Sequence, residues 1–586
     1  MMIIQSNKQA EGEKPFEATE KISSSQTKRV KNKRNYQLQL NAKNLSSQSI
    51  KRIKSNKWSF SQERTTRGGD VFKALTKTIK CGDSLQELSI SAEYLTAPSN
   101  RTLSHVSKAL KDIGHLQNLN LAFQKCSGIT NKGLEEISRG FKQVLGVKTA
   151  LLCFSSCSNQ VTDIGFQKLT QGFSRLNSLE DLTLDFAKSH QITSKSLEFL
   201  SKCLEKLPSL SSLTLKFNGC VNMKSGGLSY LCQGLKRLDR LGNLQIHFPS
   251  WKELCESGIF DFCETLKSLK SLKSLSLNFG FCKAVSDDTL KVFSKYFEGI
   301  PGLKSLALNF LNCSKITDVG LAFLHQGIKM LRNLQSLNLC FSGCYQLTNL
   351  GVNSVSETLK NLHELKSLNL DFYGIASLTN TGLETLNQAL PTLESLQNLS
   401  LSLCSNVTDG GVSSVYRTLR NFPGLLSLGL SFVGCNKITD TGLEKLSQLL
   451  KDLTLLRKID LNFASCPYIS DLGFRYLTQS LKNTASIQSL SLCFAGVEQI
   501  TDTSLQNLSE DMKKMSCLRN ISLNFGICSQ ITDAGLLVLG QWLRQSPALE
   551  KVWFNLFTCW KITKVGVKRL RQELEKVNCT ILSQID

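Results

Sequence analysis

Residues 303–331 read LKSLALNFLNCSKITDVGLAFLHQGIKML, and two periods follow each other within them. Leu306, Leu308 and Phe310 alternate, which puts them on one face of a short strand. Ile316 turns the chain back to the core, and Thr317 stands where a helix N-cap belongs. Asp318 falls in the first turn, where the helix dipole favours a carboxylate. Leu321, Leu324, Ile328 and Leu331 then come at three- and four-residue spacing and predict a helix with one apolar face. The unit is strand, turn, capped helix, turn, and alone it cannot bury its seam.

The same stretch recurs along the chain. The residue equivalent to Phe310 falls at 123, 154, 186, 217, 248, 279, 310, 341, 372, 403, 432, 463, 494, 525 and 556, and twelve of the fourteen intervals are 31 residues. The other two are 32 and 29. Self-similarity at this period means a solenoid, an α/β stack in which each unit covers the seam of the next. Ser or Thr occupies the cap position in thirteen of the fifteen units. The expected organisation is a basic tail over 1–55, an N-terminal cap repeat over 56–87, the solenoid over 88–551, and a terminal repeat and cap over 552–586.

Twenty-one cysteines would suggest disulfides in a small secreted chain. Ten of them, however, stand three residues after the repeat mark: Cys126, Cys157, Cys220, Cys282, Cys313, Cys344, Cys435, Cys466, Cys528 and Cys559. One per unit makes a column, and the reading is a buried, reduced one. Cys153 and Cys340 stand on the alternate strand positions, expected to be exposed. No CxxC pair faces another pair or an HxxxH, so no zinc site is expected.

The pattern LxxLxLxFxxCxxITDxGLxxL resembles the leucine-rich repeats, in particular the cysteine-containing class of F-box-type receptors and the longer helical repeats of ribonuclease inhibitor. The resemblance covers roughly 85–580. It differs from the cysteine-containing consensus by two extra residues between strand and Cys and by a longer helix. It implies a curved horseshoe with parallel strands on the concave face and helices on the convex face. Strands about 4.8 Å apart would give sixteen of them an inner arc on the order of 70 Å.

The N-terminal tail lies outside the repeat. Residues 1–70 hold 15 Lys and Arg against 6 Asp and Glu, +9 of the net +23, with the run Lys28, Arg29, Lys31, Lys33 and Arg34 the densest part. Such a run is either a solvated tail or a targeting and docking element for acidic protein, nucleic acid, anionic membrane or the nucleus. No uninterrupted apolar stretch reaches membrane-spanning length, and the start carries no signal-peptide core, so a cytoplasmic or nuclear location is expected.

Few residues are left over for chemistry. On the strand positions expected to face outward, Asp185, Lys216 and His247 follow one another in adjacent repeats, with Asp371 further along the same column and Tyr373 just beyond it. No nucleophile accompanies them and an open groove does not exclude water, so a polar contact patch is read in place of a catalytic row. The irregular unit 244–275 holds Trp251, the aromatic best suited by type to anchor a partner. No cofactor motif is present, and a monomer is expected. The preferred reading is a non-enzymatic scaffold that binds proteins. Two alternatives come from the resemblance: the substrate-recognition subunit of an SCF-type ubiquitin ligase, although 1–80 shows no F-box pattern, and a Ran-type GTPase activator, although the C-terminus is basic where those proteins are acidic.

Overall fold

The computed structural model describes residues 37–41, 57–63, 85–94, 99–574 and 580–584, except positions 112, 158, 225, 404, 405, 423, 483, 485, 514 and 547. The basic run at 28–34 lies outside them. The chain forms two compact units, Met1–Thr183 and Leu184–Asp586.

In the first unit, β1 (Gln37–Asn41), β2 (Lys57–Glu63), β3 (Glu87–Glu93), β4 (Asn118–Gln124) and β5 (Thr149–Cys153) pair in parallel, each with the next. Helices Ser99–Leu110, Asn131–Phe141 and Asp163–Phe173 alternate with the later strands. β1 falls within the segment expected to be a tail, so strand pairing starts earlier than the repeat pattern indicates. The second unit alternates strands and helices in the same way, its strands pairing in parallel, each with the next, from Ser212–Lys216 to Thr580–Gln584. Its register has no shift: Leu306 stands opposite Leu275 on one side and Leu337 on the other. The α/β repeat solenoid expected from residues 303–331 is the observed architecture.

Alternation explains the burial. In the strand Ser305–Asn309, Leu306 and Leu308 are buried while Ser305, Ala307 and Asn309 are half-exposed. The helices cover the buried side, as the ring contact between Phe279 at a strand end and Phe293 in the next helix shows (6.2 Å). Phe310, Phe341 and Phe372 stack at 5.6 and 6.3 Å, and Phe432, Phe463 and Phe494 at 5.3 and 5.5 Å. Each such pair adds about 0.5–1.5 kcal/mol beyond its buried area. Between the two runs stands Leu403, in the repeat that is two residues short.

Two further columns join each repeat to its neighbour. The Cys313, Cys344, Cys466 and Cys528 thiols donate to the carbonyls of Phe279, Phe310, Phe432 and Phe494, each in the preceding repeat, at 3.2–3.3 Å. The expected packed cysteine column is therefore also a hydrogen-bonded one. Cys153 and Cys340 correct the expectation of exposure: both are buried, at 3% and 9%.

The second column is at the caps. Thr317 accepts from the Val319 N–H, as the sequence predicts. Asp318 does more than oppose the helix dipole. Its Oδ1 accepts from the Thr348 and Gly351 N–H groups (both 2.9 Å), and its Oδ2 accepts from the Thr348 hydroxyl (2.6 Å). The same arrangement joins Asp409 to Thr439, Asp440 to Ser470, Asp471 to Thr501 and Asp502 to Thr532. Where Asn349 replaces Asp, its Oδ1 accepts from the Thr379 N–H and its amide donates to the Thr379 hydroxyl, so one bond reverses direction.

Burial pushes the column thiols up, Cys282 to about 11 and Cys344, Cys466 and Cys528 to about 12. Thiolate is the reactive form, so the folded column should be inert. Brief alkylation of the native protein followed by peptide mass spectrometry is expected to modify exposed Cys517 and to leave these four untouched until denaturant is added. Equal labelling of Cys344 and Cys517 without denaturant would contradict the ladder.

Candidate functional site

The residues singled out on the sheet face have structural work to do. The Asp185 carboxylate accepts from the Ala187 N–H and the Asp371 carboxylate from the Tyr373 N–H, both at 3.0 Å. Asn278, Asn309, Asn462, Asn524 and Asn555 make the equivalent bond in their repeats. An Asx side chain reaching two residues on is a turn-forming device, and here it closes the bend after these seven strands. Tyr373 is half-exposed, and its carbonyl accepts from the Gly343 N–H at 2.8 Å.

Lys216 and His247 are direct partners in the register, as the sequence anticipates. Burial, with Lys216 as the lesser contributor, holds the His247 imidazole well below its usual range, at about 4. It is therefore neutral at physiological pH, and its buried Nε2 has no hydrogen-bond partner. The row is thus two turn-closing carboxylates and one Lys–His pair. Among the described residues no group of three or more His, Cys, Asp and Glu is placed to hold a metal ion. Nor is any helix among them long and apolar enough to cross a membrane.

Trp251 is a correction. It is 2% exposed and packs edge-on against Phe248 at 5.0 Å between ring centroids. Trp251 stands three residues after Phe248, where Cys282 and Cys313 stand in the next repeats, and the left-handed Ser250 (φ 67°) before it keeps the turn of those repeats, so the indole enters the buried cysteine column. A residue this buried fills the core and presents nothing to a partner.

A row of exposed apolar side chains lies elsewhere, on the edge formed by the strand-to-helix turns and the first turns of helices. Phe281 is 48% exposed, Val319 56%, Tyr345 63%, Leu350 70%, Tyr468 60% and Leu472 50%. Further on, Ile527, Phe557 and Val565 are 52–56% exposed and Trp560 77%. Single exposed apolar residues are ordinary; a row repeating on one edge is not. The row has a sequence signal that the strand columns conceal. The second helix position reads Ile164, Val319, Leu350, Leu472 and Val565 in some repeats and Thr381, Gly410, Thr441 and Thr503 in others. Apolar residues there add nothing to the buried stripe.

Around Val319, Tyr345 and Leu350 the edge is near neutral, with Asn312, Gln346 and Asn349 beside Lys315 and Asp318. The Tyr345 hydroxyl donates to Asn312 Oδ1 at 3.5 Å, a long bond that leaves the ring facing solvent. Protein-family models searched with the chain give no match, and a search of curated proteins finds none either.

Proposed function

We propose that the chain is a non-enzymatic protein-binding scaffold of the leucine-rich-repeat kind, working in the cytoplasm or nucleus. Its cysteine column and Thr-Asp caps give it a resemblance to the cysteine-containing repeats of that superfamily. The observation that carries the reading is the exposed, near-neutral apolar group Val319, Tyr345 and Leu350 on a rigid repeat edge. The backbone beneath it is fixed by strand pairing and by the cap bonds from Asp318 to Thr348. A partner gains contact area there at little cost in ordering the scaffold. Buried aromatic and aliphatic anchors of this type dominate interface energies.

The test compares the full chain with a Tyr345→Ser, Leu350→Ser double variant and with Ala307→Arg on the sheet face. Proteins recovered with the wild type are identified and titrated against all three. Loss of two anchors is expected to weaken the authentic partner about thirtyfold or more, while Ala307→Arg binds normally. Loss confined to Ala307→Arg moves the docking surface to the sheet. Failure of every recovered protein to titrate against the wild type defeats the scaffold reading.

A further inference from the structure

The last repeats carry an apolar group unlike the one around Tyr345, because cations surround it. Ile527 and Phe557 occupy adjacent turns, joined by the bond from the Ile527 N–H to the Phe557 carbonyl at 2.8 Å. Trp560 lies three residues beyond Phe557 in the same turn, and Val565 opens the helix Lys564–Leu574. All four are more than half exposed, Trp560 at 77%.

The backbone at Ile527 is that of the repeat turn. Its φ is 65°, the left-handed conformation of this turn position throughout the described repeats, held by Gly343, Gly374, Gly434 and Gly496 but also by non-glycine residues such as Phe281, Asn312 and Thr558. A β-branched residue in this conformation costs on the order of 1 kcal/mol or more. With its side chain outside, it returns no core packing.

The charges are as specific. Lys564, Lys568 and Arg571 recur at helical spacing on one face of the terminal helix, Arg569 is exposed beside them, and Lys561 stands next to Trp560. The nearest acids are engaged: Asp533 accepts from both the N–H and the hydroxyl of Thr563, and Glu573 pairs with Arg544 at 3.4 Å.

We infer that this end of the second unit docks on an anionic lipid surface, with Trp560, Phe557 and Ile527 entering the interface and the cations meeting the headgroups. Tryptophan with flanking Lys and Arg is the side-chain set that suits a membrane–water boundary. Each cation near such a surface adds about 1 kcal/mol. Protrusion decides between a bilayer and a folded acidic protein. A fluid interface closes around projecting side chains, whereas a folded partner needs walls to pack against, and these four residues are each more open than covered. The inference is independent of the scaffold reading, which rests on the neutral group at Tyr345.

The test is co-sedimentation of the full chain with vesicles of phosphatidylcholine alone and of phosphatidylcholine with phosphatidylserine. The wild type should pellet with the second and not the first. A Phe557→Ser, Trp560→Ser variant should bind them at least about tenfold more weakly, and a Lys564→Glu, Lys568→Glu variant should also lose binding. Both should keep the wild-type thermal unfolding midpoint, since the replaced side chains are solvent-facing. Three results overturn the proposal: a wild type that ignores the anionic vesicles; a Phe557→Ser, Trp560→Ser variant that pellets as well as the wild type, which assigns binding to the basic tail; or dependence on Trp560 for binding polyglutamate but not vesicles, which assigns the patch to an acidic polypeptide.

Discussion

Replacing Trp251 with alanine is expected to destabilise the second unit by about 3–5 kcal/mol, the usual cost of deleting a large buried aromatic, and to leave partner binding by the folded protein unchanged. The indole is 2% exposed and its ring meets Phe248 edge-on at 5.0 Å, so its loss opens a cavity beside the phenylalanine stack. The stack continues from Phe248 to Phe217 at 5.5 Å, so the disturbance reaches the preceding repeat. Trp251→Phe should recover most of the stability, because the indole Nε1 has no hydrogen-bond partner to lose. Urea unfolding gives the magnitude, and amide exchange over 244–275 shows whether the loss is local. A variant as stable as the wild type but deficient in binding would put the indole outside.

The second expected result is a change of sign between two glycines. Gly327→Ala should destabilise by about 2–3 kcal/mol, although alanine is the better helix former by roughly 0.5–1 kcal/mol. A Cβ at Gly327 would lie 2.5 Å from the Ser294 carbonyl oxygen and 2.6 Å from its Cα. Both are backbone atoms of the neighbouring helix, so no rotamer change relieves the contact and the two helices must separate. Gly410→Ala, in the first turn of another helix, should be neutral or stabilise by about 0.5 kcal/mol. Its nearest neighbours are the Asn380 Nδ2 at 3.3 Å and the Thr408 Oγ1 at 3.5 Å, both side-chain atoms. Thermal unfolding of the two variants side by side measures the contrast. Equal effects would mean that the helices do not approach at Ser294.

The repeat unit was legible because its determinants are local. Alternation of Leu306, Leu308 and Phe310, the cap at Thr317 and the helical spacing after it need no knowledge of neighbours. Contacts between repeats were less legible. Asp318 reads as a dipole partner within its own helix, but its bonds run to Thr348, thirty residues on. Asp185 and Asp371 read as contact residues if a strand position facing outward is taken as free, while the turn that follows needs their oxygens. Trp251 is the converse case. Residue type suggests an anchor, but the place three residues after Phe248 is the one that buried Cys282 and Cys313 take in the next repeats, and it sets the ring inward. The exposed row at Val319, Leu350 and Leu472 is masked in the sequence because apolar residues in a helix match its buried stripe by type.

The bonds from each Asp or Asn to the next cap have a direction. Asp440 serves Ser470, Asp471 serves Thr501 and Asp502 serves Thr532, so in these bonds the acceptor belongs to the earlier repeat and the groups it satisfies to the later one. Synthesis runs the same way, and domains fold in order as they leave the ribosome. A finished repeat therefore already presents the carboxylate that the next helix requires to start, and the growing end is templated as it emerges. Assembly in the opposite direction would leave each new helix start unsatisfied until its predecessor arrived, which makes this stack vectorial.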